Sequence, residues 1–259
     1  MRIAHLSDSH LSVGPLSAGP AESLARAIGR ALTLEPLPDC VVITGDLTEH
    51  GDPREYADLH AILDRCPIPV HLVTGNHDNA DALRNEFAGT RYLAGGASTR
   101  YSVDYPEATV VVADSLVPGS PAGLLGAEQL TWIDDTLVLR PEFPALVAMH
   151  HPPVPVGIPF LDGMRLNDGP ELAAVLRRHR NVARVLAGHI HRPVSVPFAG
   201  TLVTVAPSTF RQSSLRMHDA GAPGYLDEPT GFLLHLLNDA LCVTHTVPVS
   251  HATAPTAFA

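Results

Sequence analysis

The chain of 259 residues contains no lysine, and all 17 of its basic residues are arginine. This absence excludes enzymes that form a Schiff base through a lysine amine. It also excludes nucleotide hydrolases of the P-loop type, because their lysine must reach the β and γ phosphates of the nucleotide. Chemistry of either kind is therefore not expected of this protein.

Cysteine is also scarce, with three scattered residues at Cys40, Cys66 and Cys242 and no CxxC pair. An odd, scattered set predicts neither a disulfide framework nor a thiolate metal site. We expect small buried side chains in a reducing compartment. The sequence shows no apolar signal segment at its amino terminus and no run of about 18 apolar residues, so it predicts a cytoplasmic protein without a membrane span.

Positive charge is in deficit, since 27 acidic residues leave a formal net charge of -10 at pH 7. Proteins that coat nucleic acid neutralise its phosphates with a basic face, so we expect no nucleic-acid polymer as a partner. With 45% hydrophobic and 17% charged residues, the chain can bury a large core. We expect one domain over residues 1–247 and a tail of small residues over 248–259.

Short apolar runs typical of strands buried on both faces recur along the chain. Helical patterns separate the first three runs, and later strands follow one another directly, as antiparallel additions to a sheet do. The predicted fold is an α/β sandwich of two mixed sheets flanked by helices. The strand runs are Ile3–Leu6, Cys40–Thr44, Val70–Thr74, Ala108–Ala113, Ala145–Met149 and Val182–Ala187, and the helical patterns are 21–34, a second from Asp52, 79–87, 127–137 and 168–179.

One long stretch does not fit this alternation. Residues 212–230 are polar and rich in Gly, Pro and Ser, and we predict an irregular insertion there. Long loops of this kind are often functional, so the insertion is a candidate lid or a contact in a homo-oligomer.

Histidines and acids fall at the ends of the predicted strands. Ligands of open α/β sheets bind outside the carboxyl ends of the strands, so these segments aim polar groups at one edge. Each segment alone matches ordinary turn composition, and turn residues satisfied by local hydrogen bonds are the alternative explanation. Together they favour a binding site. The segments are Asp8-Ser9-His10, Gly45-Asp46, Gly75-Asn76-His77-Asp78, His150-His151-Pro152-Pro153 and Gly188-His189-Ile190-His191.

The donors expected to converge there are two carboxylates, four imidazoles and one amide. A tetrahedral zinc site needs three or four ligands, whereas seven with one bridging carboxylate suit two metal ions about 3.5 to 4 Å apart. Nitrogen and oxygen donors without thiolate favour manganese, iron, cobalt, nickel or zinc, and the sequence does not choose among them. The seven residues are Asp8, His10, Asp46, Asn76, His150, His189 and His191.

In order and spacing these segments resemble the calcineurin-type metallophosphoesterases, from Arg2 to about Arg192. The run Met149 to Pro153 and the short chain look most similar to the bacterial cyclic-nucleotide and glycerophosphodiester phosphodiesterases of that superfamily. The resemblance implies a four-layer sandwich fold. It also assigns the ligands: Asp8, His10 and His191 to one metal, Asn76, His150 and His189 to the second, and Asp46 to a bridge between them.

The resemblance places His77 beside the phosphate without a metal contact. An alkoxide is a poor leaving group, and we expect His77 to act as its general acid. Asp78 is a candidate to hold the His77 ring, and the alternative is an N-cap for the helix that begins near Asn79. Asn76 and His77 are also expected to contact the substrate, together with Arg211, which follows a strand and turn where related phosphodiesterases carry a polar residue.

The predicted activity is hydrolysis of a small phosphodiester, a 3′,5′-cyclic nucleotide or a glycerophosphodiester, by a hydroxide that bridges two metal ions. A phosphomonoesterase or broad-specificity phosphatase of the same superfamily is the alternative enzyme. A non-catalytic scaffold with this fold is a third interpretation, but scaffolds of that kind are expected to lose ligands. All seven ligand positions are filled here, and this favours an enzyme.

Overall fold

The computed structural model describes residues 1–15, 17–218, 221–238 and 241–251. None of the helices in this part of the chain is long and apolar enough to cross a bilayer. The strands are β1 Arg2–Leu6, β2 Cys40–Thr44, β3 Val70–Val73, β4 Tyr101–Asp104, β5 Thr109–Val112, β6 Ala145–Ala148, β7 Val182–Ala187, β8 Val194–Phe198, β9 Thr201–Val205, β10 Gln212–Ser213, β11 Tyr225–Leu226, β12 Gly231–Asn238 and β13 Leu241–Pro248. The α-helices are α1 Ala18–Ala31, α2 Pro53–Leu63, α3 Ala80–Phe87, α4 Gly126–Leu137, α5 Pro159–Asp162 and α6 Gly169–Leu176, and a short 3-10 helix spans Arg91–Leu93.

Two large mixed sheets form the centre of the fold, as the sequence predicts. The first has the strand order β13-β12-β1-β2-β3, and the second has the order β4-β5-β6-β7-β9-β8. Strands β1, β2 and β3 are parallel, while β12 and β13 are antiparallel additions beside β1. In the second sheet β5, β6, β7 and β9 are parallel, and β4 and β8 are antiparallel.

Both faces of the second sheet are buried at its central strands, which explains their continuous apolar runs. Val110 and Val112 of β5 point into a core shared with the first sheet. Val111, between them, points the other way and packs in a second core with Ile133 of α4 and Leu172 of α6. Successive side chains of a strand face opposite sides, so the central strands β5, β6 and β7 need apolar residues at nearly every position. The helices therefore lie outside the sheets, in the predicted four-layer order.

Two helix starts show what local sequence can and cannot predict. Asp52 caps α2 as its sequence predicts, because its side chain accepts from Arg54 N–H and Glu55 completes the capping box. Asp168 precedes α6 in a similar pattern, an aspartate followed by a proline and a glutamate in the first helical turn. Its side chain nevertheless accepts no hydrogen bond from that helix. Its carboxylate instead accepts from Gly126 N–H at 2.8 Å, at the start of α4. The pattern is the same, and packing of the two helices decides which one is capped.

The insertion and the tail contain more pairing than the sequence indicates. Strands β10 and β11 form a small antiparallel hairpin within 212–230. The predicted tail begins inside β13, which ends at Pro248, and Val249 donates to the Thr230 carbonyl at 2.7 Å. The remaining tail, 252–259, lies outside the described residues.

His71 is a titratable group buried in β3. Its side chain is 3% exposed, and Nε2 lies 2.6 Å from the hydroxyl of Tyr105. Nδ1 is buried without a hydrogen-bond partner in the described part of the chain. Burial lowers the pKa of His71 from 6.5 to about 4, because the charged imidazolium would lose its hydration.

We predict that His71 makes the fold sensitive to acid. The unfolded chain takes up a proton below about pH 6.5 and the folded one does not, so stability present above that pH is lost as the pH falls towards 4. Between pH 7 and pH 5 this loss is about 2 kcal/mol for one such group. In urea denaturation His71→Phe should lose this part of the pH dependence, whereas Tyr105→Phe, which keeps the imidazole, should retain it. An unchanged pH slope in His71→Phe would contradict the assignment.

Candidate metal centre

The structure brings the five predicted segments together at one edge, where the carboxyl ends of both parallel sets of strands meet. His150, after β6, donates from Nδ1 to the carbonyl of Thr44 in β2 at 2.7 Å. His189, after β7, donates its backbone N–H to the carboxylate of Asp8 at 3.1 Å. These two bonds join the second sheet to the first. All seven predicted ligand residues therefore lie in one region between the sheets.

The glycines of these segments allow the close packing. A Cβ at Gly75 would overlap the backbone and carboxylate of Asp46, and one at Gly188 would overlap the hydroxyl of Ser7. At these two positions the glycine is required by contact with neighbouring chain. The glycines that precede the predicted ligands Asn76 and His189 are therefore needed for the close packing of the site.

The backbone of the site is unusual. In the described chain seven non-glycine residues have positive φ, and five of them are predicted ligands. The left-handed region is unfavourable for residues with a Cβ, and such conformations concentrate at functional sites. The five are Asp8 at 54°, His10 at 48°, Asp46 at 46°, His189 at 71° and His191 at 54°.

Four of the side chains form a first cluster, in which one ligand atom of each lies within 4.8 Å of the others. His10 and His191 approach most closely, with their Nε2 atoms 3.0 Å apart. The carboxylate of Asp8 lies 3.4 Å from Nε2 of His191. Every member is buried. The first cluster consists of Asp8, His10, Asp46 and His191.

Neighbouring acceptors fix the tautomers of the two imidazoles in the first cluster. Nδ1 of His10 lies 2.8 Å from the carboxylate of Glu49, and Nδ1 of His191 lies 2.8 Å from the carbonyl of Arg211. Both acceptors need an N–H, so each Nδ1 donates and each Nε2 presents a lone pair in the neutral ring. Two lone pairs 3.0 Å apart repel unless a proton or a metal ion lies between them. The first cluster is therefore built for a cation.

A second cluster lies beside the first. Its imidazoles are His150, His151 and His189, with nitrogens within 4.8 Å of one another. The amide oxygen of Asn76 lies 3.1 Å from Nε2 of His150. Nε2 of His189 is buried and has no hydrogen-bond partner among the described residues. An orphaned buried nitrogen is costly, and a metal ion would satisfy it.

His151 is closer to this cluster than its sequence position indicates. Its Nδ1 bonds to the Ser115 hydroxyl at 2.8 Å, as a polar residue of an ordinary turn would. Its Nε2, however, is buried and without a partner in the described chain, like that of His189. The ring centroids of His151 and His189 are 4.9 Å apart. His151 thus packs directly on a predicted ligand.

Asp46 lies between the two clusters. Its Oδ2 is 3.6 Å from Nε2 of His10 and 3.4 Å from Nε2 of His150. Burial would raise the pKa of Asp46, but the adjacent His150 and His10 imidazoles hold it well below its usual range. Burial would lower the pKa of His150, yet Asp46 raises it to about 9. The space on both sides of this carboxylate therefore attracts positive charge, and the donor set fits two metal ions.

His77 is placed at the rim of the first cluster. Its backbone N–H donates to Oδ1 of Asp46 at 2.9 Å, and its ring donates from Nδ1 to the carbonyl of Glu49 at 3.0 Å. The side chain is 36% exposed. Because Nδ1 is committed to a carbonyl, Nε2 is the atom left to exchange a proton with a substrate.

The predicted contact between Asp78 and the His77 ring is wrong. The Asp78 carboxylate accepts from the backbone N–H groups of Gly75 and Leu47 and from the hydroxyl of Tyr56, at 2.8 to 3.1 Å. The alternative N-cap role is also wrong, because the side chain of Asn79 caps α3. Burial and the nearby Asp46 charge raise the pKa of Asp78 to about 6. Asp78 ties together the loops that carry the ligands.

Glu49 is a functional candidate that the sequence analysis missed. Its carboxylate accepts from His10, and its backbone carbonyl accepts from His77. Carboxylates that bond to the outer nitrogen of a metal-binding histidine fix its orientation and raise its basicity. The sequence signal was an acid three residues after Asp46, which is ordinary for a loop. Glu49 meets His10 only because β1 and β2 pair in the folded sheet.

Arg211, a predicted substrate contact, lies near the first cluster, and both its backbone carbonyl and its guanidinium make contacts there. Its carbonyl holds His191, and its guanidinium lies over the ring of Phe210, 4.4 Å from the centroid. Together with His10 and His191 it lines a cavity beside the cluster.

The two-sheet sandwich and its strand-end clusters of carboxylates and imidazoles define a metal-binding α/β protein. The family model of the calcineurin-like phosphoesterases matches residues 1–193. This chain belongs to the calcineurin-like phosphoesterase family.

Relatives similar to the whole chain have two kinds of name. One is a probable glycerophosphodiester phosphodiesterase GpdQ of Arcobacter nitrofigilis, 28% identical over 100% of this chain and 97% of the relative. Another is a probable cyclic nucleotide phosphodiesterase of Rhodococcus erythropolis, 31% identical over 97% of this chain and 85% of the relative. A solved dimetal phosphatase from Danio rerio has the same fold, with a TM-score of 0.70, 17% identity and coverage of 95% of this chain and 96% of that one.

We predict that Glu49→Gln weakens metal binding without unfolding the protein. The amide oxygen still accepts from Nδ1 of His10 but carries no charge, so His10 becomes a poorer ligand. Loss of such a partner costs about 10- to 100-fold in metal affinity. Equilibrium dialysis with manganese measures the effect, and His50→Gln, the exposed neighbour, is the control. Equal affinities of Glu49→Gln and the parent protein would show that Glu49 does not act on the metal.

Proposed function

We propose that this protein is a metal-dependent hydrolase of small phosphodiesters. The observation that carries the proposal is the position of Asp46, whose Oδ2 lies within 3.6 Å of imidazole nitrogens from two separate clusters. The names of the relatives support the reaction, since both kinds are phosphodiesterases. They favour a diester over the monoester that was the alternative.

Two ions would be held by the residues of the two clusters. When bound, they supply Lewis-acid chemistry, which activates a water and neutralises the charge on the phosphate oxygens. All donors are nitrogen or oxygen, which suits manganese, iron, zinc or cobalt. In this proposal Asp8, His10 and His191 would hold the first ion, Asn76, His150 and His189 would hold the second, and Asp46 would contribute to both.

The remaining residues orient the ligands and handle the proton. Glu49 and the Arg211 carbonyl keep the first-cluster imidazoles in the tautomer with Nε2 inward. His77, held at Nδ1 by the Glu49 carbonyl, has Nε2 free to protonate the leaving alkoxide. In this proposal Asn76 and the Arg211 guanidinium would bind non-bridging phosphate oxygens.

The catalytic unit would span residues 1–247. Strand β12 lies between β13 and β1, so the chain after residue 193 completes the sheet that carries Asp8. The three cysteines, Cys40, Cys66 and Cys242, are all free. Free thiols suit the reducing cytoplasm, which is the location proposed here.

Metal-reconstituted protein should hydrolyse bis(p-nitrophenyl) phosphate faster than p-nitrophenyl phosphate. Asp46→Asn should lower bound manganese and reduce diester turnover by about 10³-fold, because it removes the charge shared by both ions. His77→Ala should retain the metal but reduce kcat by about 10²- to 10⁴-fold. His245→Gln, exposed on β13, is the control. Full activity of Asp46→Asn, or faster monoester than diester hydrolysis by the parent protein, would refute the proposal.

A further inference from the structure

A cavity of about 320 Å³ opens beside the first cluster. The imidazoles of His10 and His191 form one end of it. Val13, Pro15 and Pro20 contribute apolar surface to its wall. Whatever occupies this cavity therefore lies next to any phosphate bound at the ions. Its volume is at the small end of ligand cavities and fits one ring system with its linker.

Two aromatic rings and a planar cation also line this cavity, and together they are called the aromatic wall (Phe210, Arg211 and Tyr225). The guanidinium carbon of Arg211 lies 4.4 Å from the ring centroid of Phe210 and 5.8 Å from that of Tyr225. The Tyr225 ring lies 5.5 Å from the ring of His191, with 35° between their planes. The ring of Tyr225 thus lies directly beside His191, a predicted metal ligand.

Backbone pairing holds this wall in place. Tyr225 is opposite Ser213 in the β10–β11 hairpin, and Ser213 donates its N–H to the carbonyl of His191 at 3.3 Å. The ring of Phe210 packs against Gly19 at the start of α1. The hairpin lies in the insertion 212–230, which the sequence predicts to be a lid or a contact in a homo-oligomer. Its register places Tyr225 beside His191, with 57% of the Tyr225 surface exposed.

Ring faces and a stacked guanidinium favour a planar partner. Stacking of a nucleic-acid base on an aromatic side chain is worth about 1–3 kcal/mol, and an arginine plane adds a further stacking surface. A polyol such as glycerol offers no flat face and gains little from this wall. Ser12 also lines the cavity and carries a hydroxyl that can bond to the edge of a ring.

We propose that Tyr225 and Phe210 determine substrate specificity, by selecting phosphate esters that carry an aromatic or heteroaromatic ring over esters of simple alcohols. The inference rests on the proposed function, because it takes the phosphate to be bound at the two clusters. Of the two substrate classes left open, it favours the nucleotide.

Binding of two monophosphates to manganese-reconstituted protein tests this wall without requiring turnover. Adenosine 5′-monophosphate and glycerol 3-phosphate share a phosphate group and differ in the ring. By calorimetry the parent protein should bind the nucleotide at least tenfold more tightly. Tyr225→Ala should lose about tenfold for the nucleotide and less than twofold for glycerol 3-phosphate. Tyr225→Phe, which keeps the ring, should restore the preference.

Leu226→Ala is the matched control, since Leu226 is the exposed neighbour of Tyr225 on the same strand and points to the other face. It should leave both affinities unchanged. Phe210→Ala should act like Tyr225→Ala. Equal affinity of the parent protein for the two ligands, or equal losses for both ligands in Tyr225→Ala, would overturn the proposal.

Kinetics separate this inference from the proposed function. With 3′,5′-cyclic AMP, Tyr225→Ala should raise KM about tenfold and leave kcat nearly unchanged, while bulk metal content stays the same. If no diester is hydrolysed but the nucleotide preference depends on Tyr225, the proposed hydrolase function is wrong and the proposed role of Tyr225 in specificity is correct. If diesters are hydrolysed without any dependence on Tyr225, the proposed role of Tyr225 in specificity is wrong and the proposed hydrolase function is correct.

Discussion

The carboxylate of Asp46, buried between imidazoles from two sheets, is the constraint on which the site depends. His10 follows β1 of the first sheet and His150 follows β6 of the second, and both present Nε2 to the same oxygen. A buried anion is expensive unless it is paired, so positive charge at this point stabilises the contact between the sheets. The same charge is what a phosphate ester needs from an otherwise acidic protein.

This arrangement has a conformational cost. Five of the predicted ligands hold positive φ, and each such residue costs about 1–3 kcal/mol. The Nε2 atoms of His10 and His191 face each other 3.0 Å apart, and His189 buries a nitrogen that has no partner among the described residues. The two hydrophobic cores on either side of the second sheet hold these groups in place. The strained residues at the strand ends destabilise the fold, and the apolar strands that precede them stabilise it.

The sequence predicted those features that follow from position along a strand. Apolar runs located the strands, and the polar residues after them had to meet, because parallel strands present their carboxyl ends at one edge. Side-chain partners over long sequence distances were not predictable in this way. Asp78 binds the loop after β2 instead of its neighbour His77, and Asp168 caps α4 instead of α6. Glu49 meets His10, and Tyr225 meets His191, only when segments far apart in the sequence pack together.

Anomalous diffraction from crystals grown with manganese tests the central claim most directly. Two ions bridged by Asp46 predict two anomalous peaks about 3.5–4 Å apart, one on the side of His10 and His191 and one on the side of His150 and His189. A single peak, or peaks away from the Asp46 carboxylate, would contradict the dinuclear site.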